Sequence, residues 1–325
     1  MGNILDDDAT GADPVSAKLE SLGIHLDPGI PYRLESMFPR LEGWGAKGEL
    51  KRKGKIIRNV EPKLAEMLRD GEEVLYIAKG VQYSFAEHYF MGVWAMTINQ
   101  TVFVLTNVRL IMLRTNSSGV PKETAWMVYY SQIEKLKGGW TGMMSLKLDD
   151  GRKLQFSGFS KLDRSTMPQV FEQALEKYRE HGFEPEVTQS LENLCGYCHG
   201  RVPKDEYECR RCGAEFWKPS AVALRSLVFP SWGDFVLKHY VVMGVELIGY
   251  AVTWIVAGVL VIAALSGGGD PLELLIAVGL GAFFIAIAHT VDGAVTYFVA
   301  KKGLHPRRGP THETVEDIDE VLVES

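Results

Sequence analysis

The sequence predicts a multidomain α+β protein: an antiparallel β-barrel or sandwich with a C-terminal helix, a four-cysteine metal module, and a hairpin of two transmembrane helices. Three observations lead to this prediction. Strand-like alternation fills the middle of the chain, all four cysteines fall within one short stretch, and two long apolar segments lie near the C-terminus. We divide the 325 residues into six regions: 1–60, 61–181, 182–218, 219–236, 237–302 and 303–325.

Two apolar segments between about Tyr240 and Ala300, separated by a Gly-rich break, organise the chain. A helix needs about 20 apolar residues to cross a bilayer, and each segment is long enough. Hydrocarbon offers no partners to backbone amides, so both segments are predicted as helices of a transmembrane hairpin over 237–302. The alternative is a pair of buried core helices in a soluble domain, which apolar runs of this length disfavour.

The charges that flank the hairpin predict its orientation. Basic residues occur on both outer sides, at Arg225, Lys238, Lys301, Lys302, Arg307 and Arg308. The connecting loop has none, and positive charge stays on the cytoplasmic side of membranes. We therefore expect a multi-pass protein of the cell membrane with both termini in the cytoplasm. Residues 1–30 lack a basic start followed by an apolar run, so we expect no secretory signal.

The segments that border the hairpin are interpreted from length and charge. Residues 219–236 are too short to span, and we interpret them as an interfacial segment that is broken at Pro230. Residues 303–325 form an acidic cytoplasmic tail. This tail is either free or an amphipathic helix that docks on a partner or on the head.

A basic cluster lies in the N-terminal extension, region 1–60, after a short helix predicted over Pro14–Leu22. Its central residues are Lys51, Arg52, Lys53 and Lys55, which we treat as candidate lipid- or partner-binding residues. A solvated face is one interpretation. Contact with anionic headgroups, at about 1 kcal/mol per basic residue, is the other. The net charge of −6 does not favour a nucleic-acid partner.

Region 61–181 has the pattern of antiparallel strands that end in a helix. A helix is predicted first over about Glu61–Asp70, and strand-like segments then run from Gly71 to the final helix, which ends near Arg179. Asp150-Gly151 between two alternating segments predicts a two-residue hairpin turn. Ser165 or Thr166 is expected to cap the final helix.

Particular words in this region resemble the bacterial pleckstrin-homology-like (PH-like, or GRAM-like) domains. They are GEEVLYIAKG, VFVLTNVRLIMLR and MSLKLDDGRKLQFSG, in that order, and the Leu105–Ile111 stretch is most similar to the family hallmark. The resemblance covers about a third of the chain and implies a binding scaffold of bacterial origin. The apolar stretch Tyr89–Ile98 departs from the family, as an extra strand or as a loop that touches membrane or partner. No inositide-binding motif can be carried over.

Cys195, Cys198, Cys209 and Cys212 form two Cys-x-x-Cys pairs separated by ten residues. Two such turns supply four thiolates at tetrahedral distance, which suits Zn²⁺. Gly200 and Gly213 suit the tight backbone of the turns. The segment resembles a zinc ribbon, which implies structural Zn²⁺ with no open position for catalysis, and His199 as a neighbour of the site.

Other uses of these cysteines remain open. Two disulfides would need an oxidising compartment, which the expected orientation does not provide. Cys195-x-x-Cys198-His199 matches covalent haem attachment, but this needs export and would leave the second pair unused. A thioredoxin-like redox pair expects a βαβ context that is not visible, and an iron–sulfur centre is also compatible with four thiolates.

Three ionisable residues, Glu246, His289 and Asp292, fall inside the apolar segments at similar depths. Such groups are costly in a membrane and usually face protein or water. One interpretation is an ion or proton relay, or a contact with a partner's helix. The other is a hydrogen bond that fixes the hairpin, together with close packing at glycines. The glycines are Gly244, Gly249, Gly279 and Gly281.

We find no nucleophile–base pair, phosphate loop or open metal site in the sequence, so we do not expect an enzyme. The leading hypothesis is a membrane-anchored cytoplasmic scaffold or adaptor, whose PH-like domain binds a protein partner or a lipid headgroup. The expected partners are the bilayer and a membrane protein or a second copy of the chain. The alternative is an accessory subunit of a transport or sensing complex that uses Glu246, His289 and Asp292.

Overall fold

The computed structural model describes residues 13–83, 89, 92–182, 185–267 and 271–311. It shows a mixed α+β protein with a large antiparallel sheet and two long apolar helices. The chain divides into two compact units, Met1–Tyr83 with Asn99–Glu192 and Ser84–Ile98 with Asn193–Ser325. The acidic stretch of the predicted tail, from residue 312 on, and the first 12 residues lie outside the described residues.

The first unit begins with three helices, α1 (Pro14–Ser21), α2 (Leu34–Met37) and α3 (Ala46–Met67). The helix α1 confirms the helix predicted at Pro14, and Asp13 caps it by accepting from the Val15 N–H at 3.1 Å. The helix expected at Glu61–Asp70 is only the last part of α3. The basic cluster is helical too, because buried apolar residues recur every three or four positions between its charges.

Seven antiparallel strands follow: β1 (Val74–Tyr83), β2 (Gln100–Thr106), β3 (Arg109–Thr115), β4 (Pro121–Tyr129), β5 (Ile133–Gly138), β6 (Met144–Leu148) and β7 (Lys153–Ser157). They lie side by side in the order β5-β6-β7-β1-β2-β3-β4. The hairpin predicted at Asp150-Gly151 joins β6 to β7. Its loop has three residues rather than two, because the Leu148 N–H donates to the Arg152 carbonyl at 2.9 Å. Gly151 supplies the left-handed conformation, with φ 82°.

The helix α5 (Lys161–Glu180) closes the first unit. Ser160 caps it, not Ser165 or Thr166: the Asp163 N–H donates to Ser160 Oγ at 3.0 Å, and the Ser160 N–H donates back to Asp163. This capping box satisfies two backbone donors at once. The helix therefore begins several residues before the expected cap. Aromatic pairs fill the core of the unit, with ring centroids 4.7 Å apart for Phe103 and Phe156.

The turn between β2 and β3, in the Leu105–Ile111 stretch, is built around a buried ion pair. Arg109 donates to both carboxylate oxygens of Glu72 at 2.8 Å and to the Met67 carbonyl at 2.7 Å. The Thr106 hydroxyl donates to Glu72 at 2.7 Å, and Asn107 donates to the Gly71 carbonyl at 3.0 Å. These residues hold the turn together, so the Thr-Asn-x-Arg sequence has a structural reason in this chain.

The second unit contains short strands and a set of helices. They are β8 (Glu192–Leu194, which starts at the last residue of the first unit), β9 (Arg201–Val202), β10 (Glu215–Phe216), β11 (Pro306–Arg308), α4 (Val93–Ile98), α6 (Pro219–Val228), α7 (Trp232–Val236), α8 (Tyr240–Ser266) and α9 (Pro271–Ala300). The stretch expected as a strand or loop at Tyr89–Ile98 thus ends in a helix, α4. Its Ala95 and Ile98 pack with Val222 and Val299 of this same unit.

Both α8 and α9 are long and apolar enough to cross a membrane, with 27 and 30 residues and a mean hydropathy of 2.3 in each. The buried share of the most apolar window is 0% in α8 and 6% in α9, whereas the core helices of a soluble protein are mostly buried. They cross closely at Gly281, where an added Cβ would lie 3.2 Å from the Ala257 Cβ. The expected packing at Gly244, Gly249 and Gly279 is not observed, because no atom lies within 4 Å of an added Cβ there.

Candidate metal centre and polar groups of the hairpin

The four cysteines form one cluster in which each sulfur lies within 4.8 Å of the others. The Sγ atoms of Cys195 and Cys212 are 3.6 Å apart, and those of Cys198 and Cys209 are 3.5 Å apart. A disulfide requires about 2.05 Å between sulfurs, so these pairs are free thiols. The geometry is compatible with a metal ion held by four sulfurs.

The two Cys-x-x-Cys turns have the same backbone geometry, which brings the sulfurs together. Cys195 and Cys209 each accept, through the carbonyl, an N–H from four residues later, at 3.1 and 2.7 Å. That position is His199 in the first turn and Gly213 in the second, and both have a positive φ, 57° and 69°. Gly200 serves a different purpose: a Cβ there would lie 3.4 Å from Cys198 Sγ. In the first turn the positive φ therefore occurs at His199, one residue before Gly200, for which the sequence predicts the tight backbone.

The cysteine cluster favours negative charge on one of its sulfurs. Hydrogen bonds from the thiols of Cys195 and Cys198 lower the pKa of Cys209. Three of the four cysteines are buried. A metal bound to four sulfurs has no position left for substrate, so this site can hold structure but cannot catalyse.

A second polar cluster lies at one end of the hairpin. Glu246 of α8 and Asp292 of α9 meet there, and Asp234 of α7 joins them, with one oxygen of each within 4.8 Å of the others. The sequence predicts Glu246 and Asp292 as polar groups of this region but does not predict Asp234. The visible signal was an acidic residue directly before the first apolar segment. Burial, and next the charge of Asp292, raises the pKa of Asp234 to about 7.

His289, the third predicted polar residue, forms its own contacts. Its Nδ1–H donates to the Leu227 carbonyl of α6 at 2.7 Å, and its Nε2 shares a hydrogen bond with the Tyr250 hydroxyl of α8 at 2.7 Å. The ring thus ties three helices together, which favours the structural interpretation of this residue.

The basic cluster occupies the middle of α3. Lys51, Arg52 and Lys55 are exposed. Lys53 points to the other side, where its ammonium lies 3.6 Å from the centre of the Tyr76 ring. Burial lowers the pKa of Lys53 to about 7. Three of the four predicted residues are therefore placed where a headgroup or partner could meet them, and Lys53 is not.

Comparisons with known proteins add little. No protein-family model and no curated protein matches this sequence. Among solved structures, the crystal structure of the C-terminal domain of an unknown protein from Leishmania infantum is 14% identical, with a TM-score of 0.26. The match covers 37% of this chain and 95% of that chain. A TM-score this low does not indicate a shared fold or function.

Proposed function

We propose that this protein is a membrane-anchored adaptor, in which a PH-like cytoplasmic domain binds a partner protein or a lipid headgroup. The observation that carries the proposal is the surface of α8 and α9. Almost none of their most apolar windows is buried within the chain, and their mean hydropathy is 2.3. Water does not tolerate two such helices, whereas a bilayer does. The anchor therefore belongs in the membrane, and the remaining parts are assigned around it.

The first unit supports a binding role for the head. Seven antiparallel strands followed by one helix is the plan expected of a PH-like domain. Two tryptophans of this unit, Trp44 and Trp140, are 99% and 98% exposed. Tryptophan is among the residues most enriched at binding hot spots, and a free surface rarely displays it in full. These two side chains are the first places to look for a partner's contact.

We assign Zn²⁺ to the four cysteines as a structural ion of a zinc ribbon. A tetrahedron of sulfurs about 2.3 Å from zinc has edges of about 3.8 Å, close to the 3.5 and 3.6 Å observed. The ribbon precedes α6 directly along the chain. In this assignment the ribbon links the head to the anchor along the chain, and its zinc ion takes no part in chemistry.

The test is to purify the tagged full-length chain in mild detergent from its own membranes and identify what accompanies it by mass spectrometry. We expect a membrane protein at stoichiometric amount. Trp44→Ala or Trp140→Ala should reduce its recovery, while Val120→Ala, which changes an exposed residue of the same unit, should not. Isolation of the chain as a lone monomer, or its release from membranes without detergent, would contradict the adaptor role.

A second candidate is an accessory subunit of a transport or sensing complex. The convergence of Glu246 and Asp292 favours it, because paired acidic groups at membrane depth commonly mark ion pathways. Here Glu246→Gln and Asp292→Asn should abolish an ion or pH response of the complex. An unchanged response in both variants would leave the adaptor role alone.

A further inference from the structure

Three carboxylates from three helices converge at one end of the hairpin. Asp234 comes from α7, Glu246 from α8 and Asp292 from α9, and one oxygen of each lies within 4.8 Å of the others. Asp234 and Glu246 are 12 residues apart and Asp292 lies 46 residues after Glu246, so the packing of three helices brings the carboxylates together. Acidic groups this close repel one another strongly unless protons or a cation neutralise them.

The convergent oxygens are buried without partners. Asp234 is 1% exposed, and its Oδ2 has no hydrogen bond within the described residues. The same holds for Glu246 Oε2 and Asp292 Oδ1. Buried polar atoms are nearly always satisfied in folded proteins, because each orphan has lost its water without compensation. Three such oxygens on three converging carboxyl groups indicate that a cation or shared protons lie between the groups.

The Ser231 hydroxyl gives independent support. Ser231 is 1% exposed, its side chain approaches the Glu246 carboxylate, and its Oγ forms no hydrogen bond of normal geometry within the described part of the chain. Its backbone N–H donates to Asp292 Oδ2 at 2.6 Å, which fixes the residue against the cluster. A hydroxyl that turns its proton toward a carboxylate keeps its oxygen lone pairs for a ligand.

The basic groups that the structure places beside the cluster are imidazoles. His239 Nδ1 lies 3.1 Å from Asp234 Oδ1. The His289 ring lies one helical turn from Asp292 on α9 and interacts with it electrostatically. The ring nitrogens of His289 are already bonded to Leu227 and Tyr250. Even if both imidazoles are protonated, they carry two positive charges against the three negative charges of the carboxylates.

We propose that Asp234, Glu246 and Asp292, with the Ser231 hydroxyl as a fourth oxygen, bind one divalent cation of the oxygen-preferring class that includes Ca²⁺, Mg²⁺ and Mn²⁺. Carboxylate and hydroxyl oxygens are the ligands of this class, whereas the sulfur cluster suits softer ions. The cation joins α7, α8 and α9, and so fixes the interfacial segment to both helices of the hairpin. The rival occupant is a set of protons shared among the carboxyl groups.

The test is a titration of the zinc-loaded, full-length protein in detergent with Mn²⁺, followed by electron paramagnetic resonance. We expect one Mn²⁺ per chain, displaced by Ca²⁺ or Mg²⁺. Removing a second-shell group alone costs 10–100-fold in metal affinity, so Glu246→Gln, which replaces a charged ligand by a neutral amide, should weaken binding by at least about 10-fold. Glu273→Gln is the matched control, because Glu273 is exposed in the first turn of α9 and outside the cluster.

Ser231→Ala gives a second measurement that does not depend on the folding of a charge variant. It deletes one oxygen and should weaken Mn²⁺ binding several-fold while the zinc content stays at one per chain. The proposal is overturned if wild type binds no Mn²⁺ up to a concentration on the order of 1 mM, or if all the variants bind it as wild type does. Either result assigns shared protons to the cluster.

Discussion

Both units of this protein bury acidic groups, but they neutralise them in different ways. In the first unit, Glu72 receives both arms of the Arg109 guanidinium and the Thr106 hydroxyl, all within 2.8 Å. In the second unit, Asp234, Glu246 and Asp292 converge beside the imidazoles of His239 and His289, and four thiols form a further acidic cluster. The chain itself completes the first arrangement. In our proposals a bound cation completes the other two.

This difference separates two sources of stability. A buried carboxylate with a bidentate guanidinium has its counter-charge supplied by the chain itself. Clusters of thiols or carboxylates are stable only with a metal or with enough protons, so their contribution depends on what the solution supplies. The second unit should therefore respond to metal ions, whereas the sheet of the first unit should not.

The largest effect is expected at the cysteine cluster. Structural zinc contributes about 10 kcal/mol or more in small zinc-binding peptides, so Cys209→Ser should release the metal. Amides between Cys195 and Phe216 should then exchange rapidly with solvent. Metal analysis and hydrogen exchange measure both. His199→Asn is the control, since asparagine tolerates a φ of 57° and a neighbour that is not a ligand should leave the metal in place. Retention of metal by Cys209→Ser would refute the centre.

Arg109→Met should leave the buried Glu72 carboxylate of the first unit without its positively charged partner. We expect a loss of about 3–5 kcal/mol in the free energy of opening of β2 and β3, measured by hydrogen exchange. Arg152→Met removes an exposed partner of Asp150 at 2.6 Å, and should cost less than about 1 kcal/mol. Equal losses in the two variants would show that the buried pair has no special role.

Lys53 is a basic residue of the first unit whose effect on stability should depend on pH. Burial lowers the pKa of Lys53 from its ordinary 10.5 to about 7 in the folded protein. Between these values the unfolded chain keeps a proton that the folded chain releases, so stability rises with pH, by up to about 1.4 kcal/mol per pH unit. Lys53→Met should remove this rise. The difference in free energy of unfolding between the variant and wild type should therefore favour the variant most at pH 7 and shrink as the pH rises to 10.5. A difference that does not change with pH would show that the Lys53 ammonium is exposed to water.

The smallest effect is expected at exposed charges of the same helix. Lys51→Gln or Lys55→Gln should weaken binding of the full-length protein to anionic vesicles by about 1 kcal/mol each, as for other basic residues near a membrane surface. Sedimentation with vesicles of increasing anionic lipid content measures the loss. Lys53→Met should change it little, because that side chain lies over Tyr76. If none of the three variants changes vesicle binding, a protein partner is favoured over a lipid.

Much of the architecture could be predicted from local patterns. The alternation in β6 and β7, the apolar lengths of α8 and α9 and the spacing of the four cysteines each depend on residues close in sequence, and the structure shows a sheet, two long helices and a sulfur cluster there. The assignment of the sheet to the PH-like family and of the metal to zinc goes further, and both remain proposals. Helix α3 was underestimated because basic residues separate its buried positions.

Contacts between distant residues could not be predicted in the same way. Asp234 precedes the first apolar segment and shows no motif, and only the packing of α7 brings it to Glu246 and Asp292. That packing depends on Gly233, where an added Cβ would lie 2.4 Å from Ser226 Oγ and 2.8 Å from Thr296. The sequence leaves two interpretations of His289 open, a relay and a hydrogen bond that fixes the hairpin. Its partners Leu227 and Tyr250, which come from two other helices, favour the second.

The claim that the second unit depends on a bound cation is tested most directly by thermal unfolding of wild type and Glu246→Gln, each with and without Mn²⁺. Mn²⁺ should raise the midpoint of wild type and leave that of the variant nearly unchanged. Without added metal the variant should be at least as stable as wild type, because it removes one of three repelling charges. The same Mn²⁺ response in both proteins, or none in wild type, would contradict the account.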